Sequence, residues 1–250
     1  MAFAEVENLA RRKKTKKVEG LIMRIAILIT LACLSAIIMP GCANIECPHD
    51  VGFTPKTGDL LFKDVDCGPL CDAIEDVTTG YKGMRLSHVG IAAQDVNGRL
   101  VIIEAVSKGV VATDLQAFLN RGTEPNSQPK VIVGRLKEPY RHLIPAAIKE
   151  AEALKGKSYD KAFAIDNDAY CCSELIYEIF RRANDGKPVF TLEPMTFNDP
   201  KTGQTLPAWQ EYFSKLGIDI PQGKPGINPG GISRSPMLAI VYSYGRTSHR

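Results

Sequence analysis

Short apolar runs broken by turn residues organise most of the chain, and their periods predict the elements. Thr57 to Phe62 reads as a turn entering an apolar strand. Cys67 to Val77 has helical spacing at Leu70, Ile74 and Val77, closed by Gly80. LSHVGIAA (86–93) and LVIIEAV (100–106) are strands joined at Asn97-Gly98, a strong hairpin signal. Ser107 to Gly109 turns into a third strand, VVAT, and Asp114 caps a short helix through Asn120. A polar loop leads to strand VIVGRL (131–136). Pro145 opens a helix through Leu154, ended by Gly156. Cys172 to Arg182 is helical, with Leu175, Ile176, Ile179 and Phe180 on one face. Asp168 or a neighbour is expected to cap it, and Gly186 and Pro188 stop it. Residues 191–235 are rich in Pro and Gly, with a helix expected around Trp209–Leu216, and Leu238 to Tyr244 is a final strand. Antiparallel strands with helices segregated in sequence give an α+β class, an antiparallel sheet or small barrel packed against helices. No linker interrupts it, so one domain is expected over 48–246.

The N-terminus follows different rules. Residues 25–41 carry no charge and follow Arg24 and a basic run. A positive segment, an apolar segment and a small residue before a cut form an export signal. Gly41-Cys42 has the form of a lipoprotein cleavage site, with Cys42 as the lipid attachment residue. Met23 opens a compact signal of this type, so residues 1–22 read as an over-long start or an extended basic region. Residues 1–41 are therefore assigned to an N-terminal extension and signal. An uncleaved anchor and ordinary secretion are the alternatives, and all three export the body to the cell envelope or beyond.

Composition sharpens this picture. The chain of 250 residues is 44% hydrophobic and 24% charged, a globular composition. Its net charge of +3 is concentrated at the N-terminus, leaving 24 bases and 25 acids after residue 24. A near-neutral body carries no electrostatic footprint for nucleic acid. Beyond Cys33 and Cys42, the remaining cysteines are Cys47, Cys67, Cys71, Cys171 and Cys172, an odd number. An odd thiol in an exported protein is a candidate reactive group. Cys67 and Cys71 form either a short disulfide or buried thiols. Their spacing matches no zinc ribbon and no His cluster accompanies it, so no metal and no cofactor are expected.

Three residues carry the candidate chemistry. His88 interrupts an apolar strand, and Glu104 interrupts another, where a charge is costly without a partner. Cys172 opens an amphipathic helix, where free N–H groups favour thiolate. A Cys/His pair with an orienting carboxylate suits nucleophilic acyl chemistry. The hairpin register tests the pairing. A two-residue Asn97-Gly98 loop would put His88 and Glu104 on opposite faces. A three-residue loop, Val96 to Gly98 with Gly98 left-handed, sets Glu104 opposite Gly90 and diagonal to His88. Gly90 leaves room there. The pairing hypothesis therefore predicts the three-residue loop.

The segments GDLLF (58–62), SHVGIA (87–92), VIIEA (101–105), GVV (109–111), GKSYD (156–160) and YCCSELIY (170–177) together resemble the YaeF/YiiX group of permuted papain-like amidases. That group lies within the NlpC/P60 superfamily of cysteine peptidases. His88 precedes Cys172 in the chain, as in permuted members. The resemblance implies a circularly permuted papain-like core, with Cys172 as nucleophile, His88 as base and Glu104 as polar orienter. The family often has Tyr-Tyr before Cys-Ser-Glu, where this chain has Tyr170-Cys171-Cys172. Alignment on Ser173 to Leu175 selects Cys172, and Cys171 is expected to point into packing.

The expected function is that of an exported, lipid-anchored cysteine hydrolase. It would open an amide bond in a cell-wall peptide, peptidoglycan fragments included, or in a related acyl amide. The alternatives are a lipid acyltransferase or lipid amidase, expected to show a hydrophobic channel near Cys172, and a catalytically silent binding module.

Overall fold

The computed structural model describes residues 52–123 and 127–249. The expected signal segment, Cys42 and Cys47 lie outside the described residues. Strand β1 (Leu60–Lys63) is followed by helix α1 (Pro69–Val77). Strands β2 (His88–Gln94), β3 (Leu100–Val106) and β4 (Gly109–Asp114) form a meander that runs into helix α2 (Leu115–Asn120). Strand β5 (Val131–Leu136) precedes helices α3 (Ile144–Ala153) and α4 (Cys172–Ala183). A two-residue strand β6 (Glu193–Pro194), helix α5 (Pro207–Leu216), strand β7 (Pro225–Gly226), short helix α6 (Pro229–Ser233) and strand β8 (Leu238–Tyr244) complete the order.

The main sheet is antiparallel throughout, with strand order β4-β3-β2-β1-β5-β8. This is the expected α+β architecture, with an open sheet rather than a barrel. Both faces are covered, which explains why the central strands read as nearly continuous apolar runs. Leu60, Phe62, Val89, Ile91 and Ile103 pack with Leu175, Ile176 and Ile179 of α4 on one face. Leu61, Ala92, Ile102 and Val133 pack with Phe118 and Leu119 of α2 on the other.

The β2–β3 hairpin has the register that the site requires. Ile91 pairs with Ile103, Ala92 with Ile102, Ala93 with Val101 and Gln94 with Leu100. The loop holds three residues, Val96 to Gly98, closed by the Asp95 N–H on the Arg99 carbonyl at 2.9 Å. Gly98 sits at φ +75°, the left-handed conformation that glycine adopts at no steric cost. The Asp95 carboxylate fixes the loop by accepting from the N–H groups of Asn97 and Arg99. Gly90 is required as well. A Cβ there would lie 2.5 Å from Ile102 Cγ2 and 3.2 Å from Glu104 Cβ.

Helix boundaries follow the sequence signals closely, with one correction. Asp114 caps α2 by accepting from Gln116 N–H and Ala117 N–H. Asp168 does not cap α4; it pairs with Lys157 at 2.6 Å. The cap is Cys171, whose N–H donates to the Glu174 carboxyl at 2.8 Å in a capping box. Cys67 and Cys71 are joined in a disulfide, which staples the start of α1.

Candidate active site

β2 begins at His88, so its ring stands at the end of a strand. Its register partner is Lys63, and both side chains share the α2 face of the sheet. Diagonally across, Glu104 is fully buried. His88 Nε2 lies 2.6 Å from Glu104 Oε2. Thr113 Oγ1 donates to Glu104 Oε1 at 2.5 Å, and Arg121 Nη1 donates to the same oxygen at 2.8 Å. Arg121 Nη2 donates to Oε2, making the guanidinium contact bidentate. An ionised carboxylate only accepts, so His88 Nε2 is assigned as the donor in this contact.

Burial by itself would raise the Glu104 pKa. The hydrogen bonds from His88 and Arg121 outweigh it and hold the carboxyl at about 2. The folded value lies below the ordinary 4.5, so the stabilisation is complete above that pH and is lost as pH falls from there toward about 2. Wild type should therefore lose on the order of 3 kcal/mol of its advantage over Glu104→Gln across that interval. Urea unfolding of both proteins at a series of pH values measures it; a constant difference would refute the ionised buried carboxylate.

Cys172 is the first residue of α4 and is buried against the opposite face of the sheet. Its sulfur accepts a hydrogen bond from the Cys171 thiol, which, against burial, holds its pKa below the ordinary thiol value. Backbone N–H groups of Val89 and Ser173 act in the same direction. Cys171 goes the other way, pushed well up by its hydrogen bond to Cys172 and by burial. The Cys171 sulfur also lies 3.5 Å from Ser173 Oγ. The sulfur of Cys172 therefore meets the main chain of the residue that follows His88. The two side chains reach the strand end from opposite faces, and both line one cleft.

That cleft holds about 870 Å³. Its walls are mostly apolar and include Leu70 and Ile74 of α1, Phe163, Phe197, and Trp209 of α5. The Phe197 and Trp209 rings meet edge to face at 5.0 Å. The Cys67–Cys71 disulfide lies on the same wall. The segments outside the sequence motifs thus build the cavity beside the motifs.

A family model for permuted papain-like amidases, the YaeF/YiiX or C92 family, matches residues 54–242. The chain belongs to that family. Its fold is accordingly permuted papain-like, and the family supports a cysteine amidase or peptidase. Among similar C92-type chains is the uncharacterized protein YiiX of Escherichia coli (strain K12), 24% identical over 188 residues, which cover 75% of this chain and 86% of that protein. A crystal structure of yiiX from Escherichia coli O157:H7 superposes with a TM-score of 0.62 at 23% identity, over 76% of this chain and 98% of that one, and so shares the fold. That protein is described as a metalloprotein. Among the described residues here, no group of three or more His, Cys, Asp or Glu side chains is placed to hold a metal ion. Glu104 is already committed to His88, Thr113 and Arg121. The described residues therefore do not fit a metal centre, and no step is derived through one.

His88 and Glu104 come together as the register argument anticipated. Arg121 and Thr113 do not announce themselves in the sequence: Arg121 opens a polar loop, and Thr113 looks like any strand threonine. The available signal was the requirement that a fully buried Glu104 find cationic or donor partners.

Proposed function

We propose that this C92 family member is a cysteine amidase in which Cys172 attacks the carbonyl, His88 moves the proton and Glu104 orients the ring. The observation that carries the reading is the His88–Glu104 hydrogen bond, with His88 and Cys172 both lining one cleft. In the reaction, Cys172 sulfur bonds to the carbonyl carbon while His88 Nδ1 holds the thiol proton. N–H groups at the start of α4 face the developing oxyanion. The C–N bond then breaks, the amine leaves with the proton from His88, and a thioester remains. Water attacks the thioester, His88 takes its proton, and the acid departs as the thiol re-forms.

The apolar walls favour a substrate with an extended acyl portion over a bare cell-wall peptide. They also favour a second reading, transfer of the acyl group to an acceptor other than water. The signal-like residues 25–41 support export, with lipid attachment at Cys42 holding the protein at the membrane of the cell envelope.

Incubation with long-chain N-acyl amides and with muropeptides, read by mass, tests the substrate class. The expected result is release of the fatty acid and an acyl mass increment on the peptide carrying Cys172. With an added amine or alcohol, an acylated acceptor would identify transferase activity. Cleavage of muropeptides alone would overturn the acyl-amide assignment, and turnover with an unmodified Cys172→Ala variant would overturn the nucleophile.

A further inference from the structure

Lys63 is fully buried at the end of β1, an unusual place for an ammonium group. Nζ donates to the Phe118 carbonyl at 2.8 Å and to the Leu119 carbonyl at 2.7 Å. These belong to the last turn of α2, where carbonyls lack intrahelical partners. The other end of α2 is held by Asp114. Arg121 directly follows this helix, and its N–H closes on the Ala117 carbonyl. The Phe118 ring lies among the site's groups: Lys63 Nζ is 5.7 Å from its centroid, Arg121 Cζ 5.6 Å, and the His88 ring 5.9 Å.

We infer that Lys63 is a positioning residue. By tying the Phe118 and Leu119 carbonyls to β1, it fixes the helix end from which Arg121 clamps Glu104, and through Glu104 it sets the His88 ring. This rests on the proposed roles of His88 and Cys172. The charged groups around the ammonium are Arg121, Glu104, Asp66 and Asp64. Burial and then Arg121 push its pKa down to about 8, against the attraction of the three carboxylates. A group kept at that electrostatic disadvantage is held by its hydrogen bonds, and a methionine would suit the site better if only packing were required.

The test needs no substrate. The rate of iodoacetamide alkylation at Cys172 is followed against pH in the full-length chain, with the label located by peptide fragmentation. Arg121→Ala is expected to raise the midpoint by about one pH unit, and Lys63→Met by at least about half as much. In the double variant, Lys63→Met should add nothing to Arg121→Ala, because it acts through Arg121. Lys63→Gln, a milder change, should shift the midpoint in the same direction by less, and it serves if the methionine variant does not fold. An unchanged midpoint in Lys63→Met or Lys63→Gln, whatever the change in Tm, would overturn the inference. So would full additivity with Arg121→Ala. Wild-type Cys172 reacting no faster than Cys171 at neutral pH would instead defeat the amidase reading itself, and the inference with it.

Discussion

Cys172→Ser will lower amide turnover by at least about three orders of magnitude, while Cys171→Ser will keep more than about a tenth of it. Two adjacent buried thiols make this a sharp contrast. Cys172 opens α4, and the N–H groups of Val89 and Ser173 favour its thiolate. A serine hydroxyl in the same place is far harder to deprotonate, and one imidazole does not compensate. Cys171 has a different task. Its N–H completes the capping box with Glu174, and its thiol donates to Cys172. Serine preserves both functions, since a backbone N–H and a hydroxyl donor remain. Steady-state kinetics on an N-acyl amide, with circular dichroism to confirm folding, would measure the pair. Equal losses in the two variants would mean that the cysteines act as a unit rather than as nucleophile and cap.

Glu104→Gln is expected to cost about 10²–10⁴-fold in turnover and about 3 kcal/mol in stability at neutral pH. The carboxylate accepts from His88 Nε2, Thr113 Oγ1, Arg121 Nη1 and Arg121 Nη2. A carboxamide has a single acceptor oxygen, and its NH₂ would face donors that it cannot satisfy. If the oxygen turned to His88, the amide hydrogens would face Arg121 and Thr113. If it turned the other way, the amide would donate to Nε2 and impose the tautomer that blocks proton transfer at Nδ1. Chemical denaturation and kinetics of Glu104→Gln, Arg121→Gln and their double variant would separate the terms. The double variant should be more stable than Glu104→Gln alone, because it removes the stranded guanidinium. A double variant less stable than both singles would contradict the buried ion-pair account.

The site was partly legible before any coordinates because β-pairing is periodic. Once the hairpin loop is three residues long, the face of every side chain in β2 and β3 follows, and Glu104 falls beside His88. The sequence left two loop lengths open, and the Asp95 contacts together with left-handed Gly98 select the longer. Arg121 escaped this reasoning because it lies outside regular structure, where no period relates it to Glu104. Lys63 escaped for a related reason. A lysine at the end of a strand is ordinarily solvated, and its burial follows from the end of α2 closing over that end of β1. The cap of α4 was left at Asp168 or a neighbour because a cysteine is a rare cap, and the structure puts it at Cys171.

Local chemistry and periodicity in the chain by themselves indicated the strands of the main sheet, helices α1 to α5 and the α+β class, and picked out the three residues on which the proposed acyl mechanism rests. These are properties of neighbours in sequence, set by backbone conformation and alternation. Only the tertiary structure decided the loop length that puts Glu104 against His88, the clamp from Arg121, the approach of Cys172 to Val89, and the apolar cleft built from α1, α5 and the segment around Phe197. Each joins residues far apart in the chain, and such contacts form only when the packing of whole elements against the sheet brings their surfaces together.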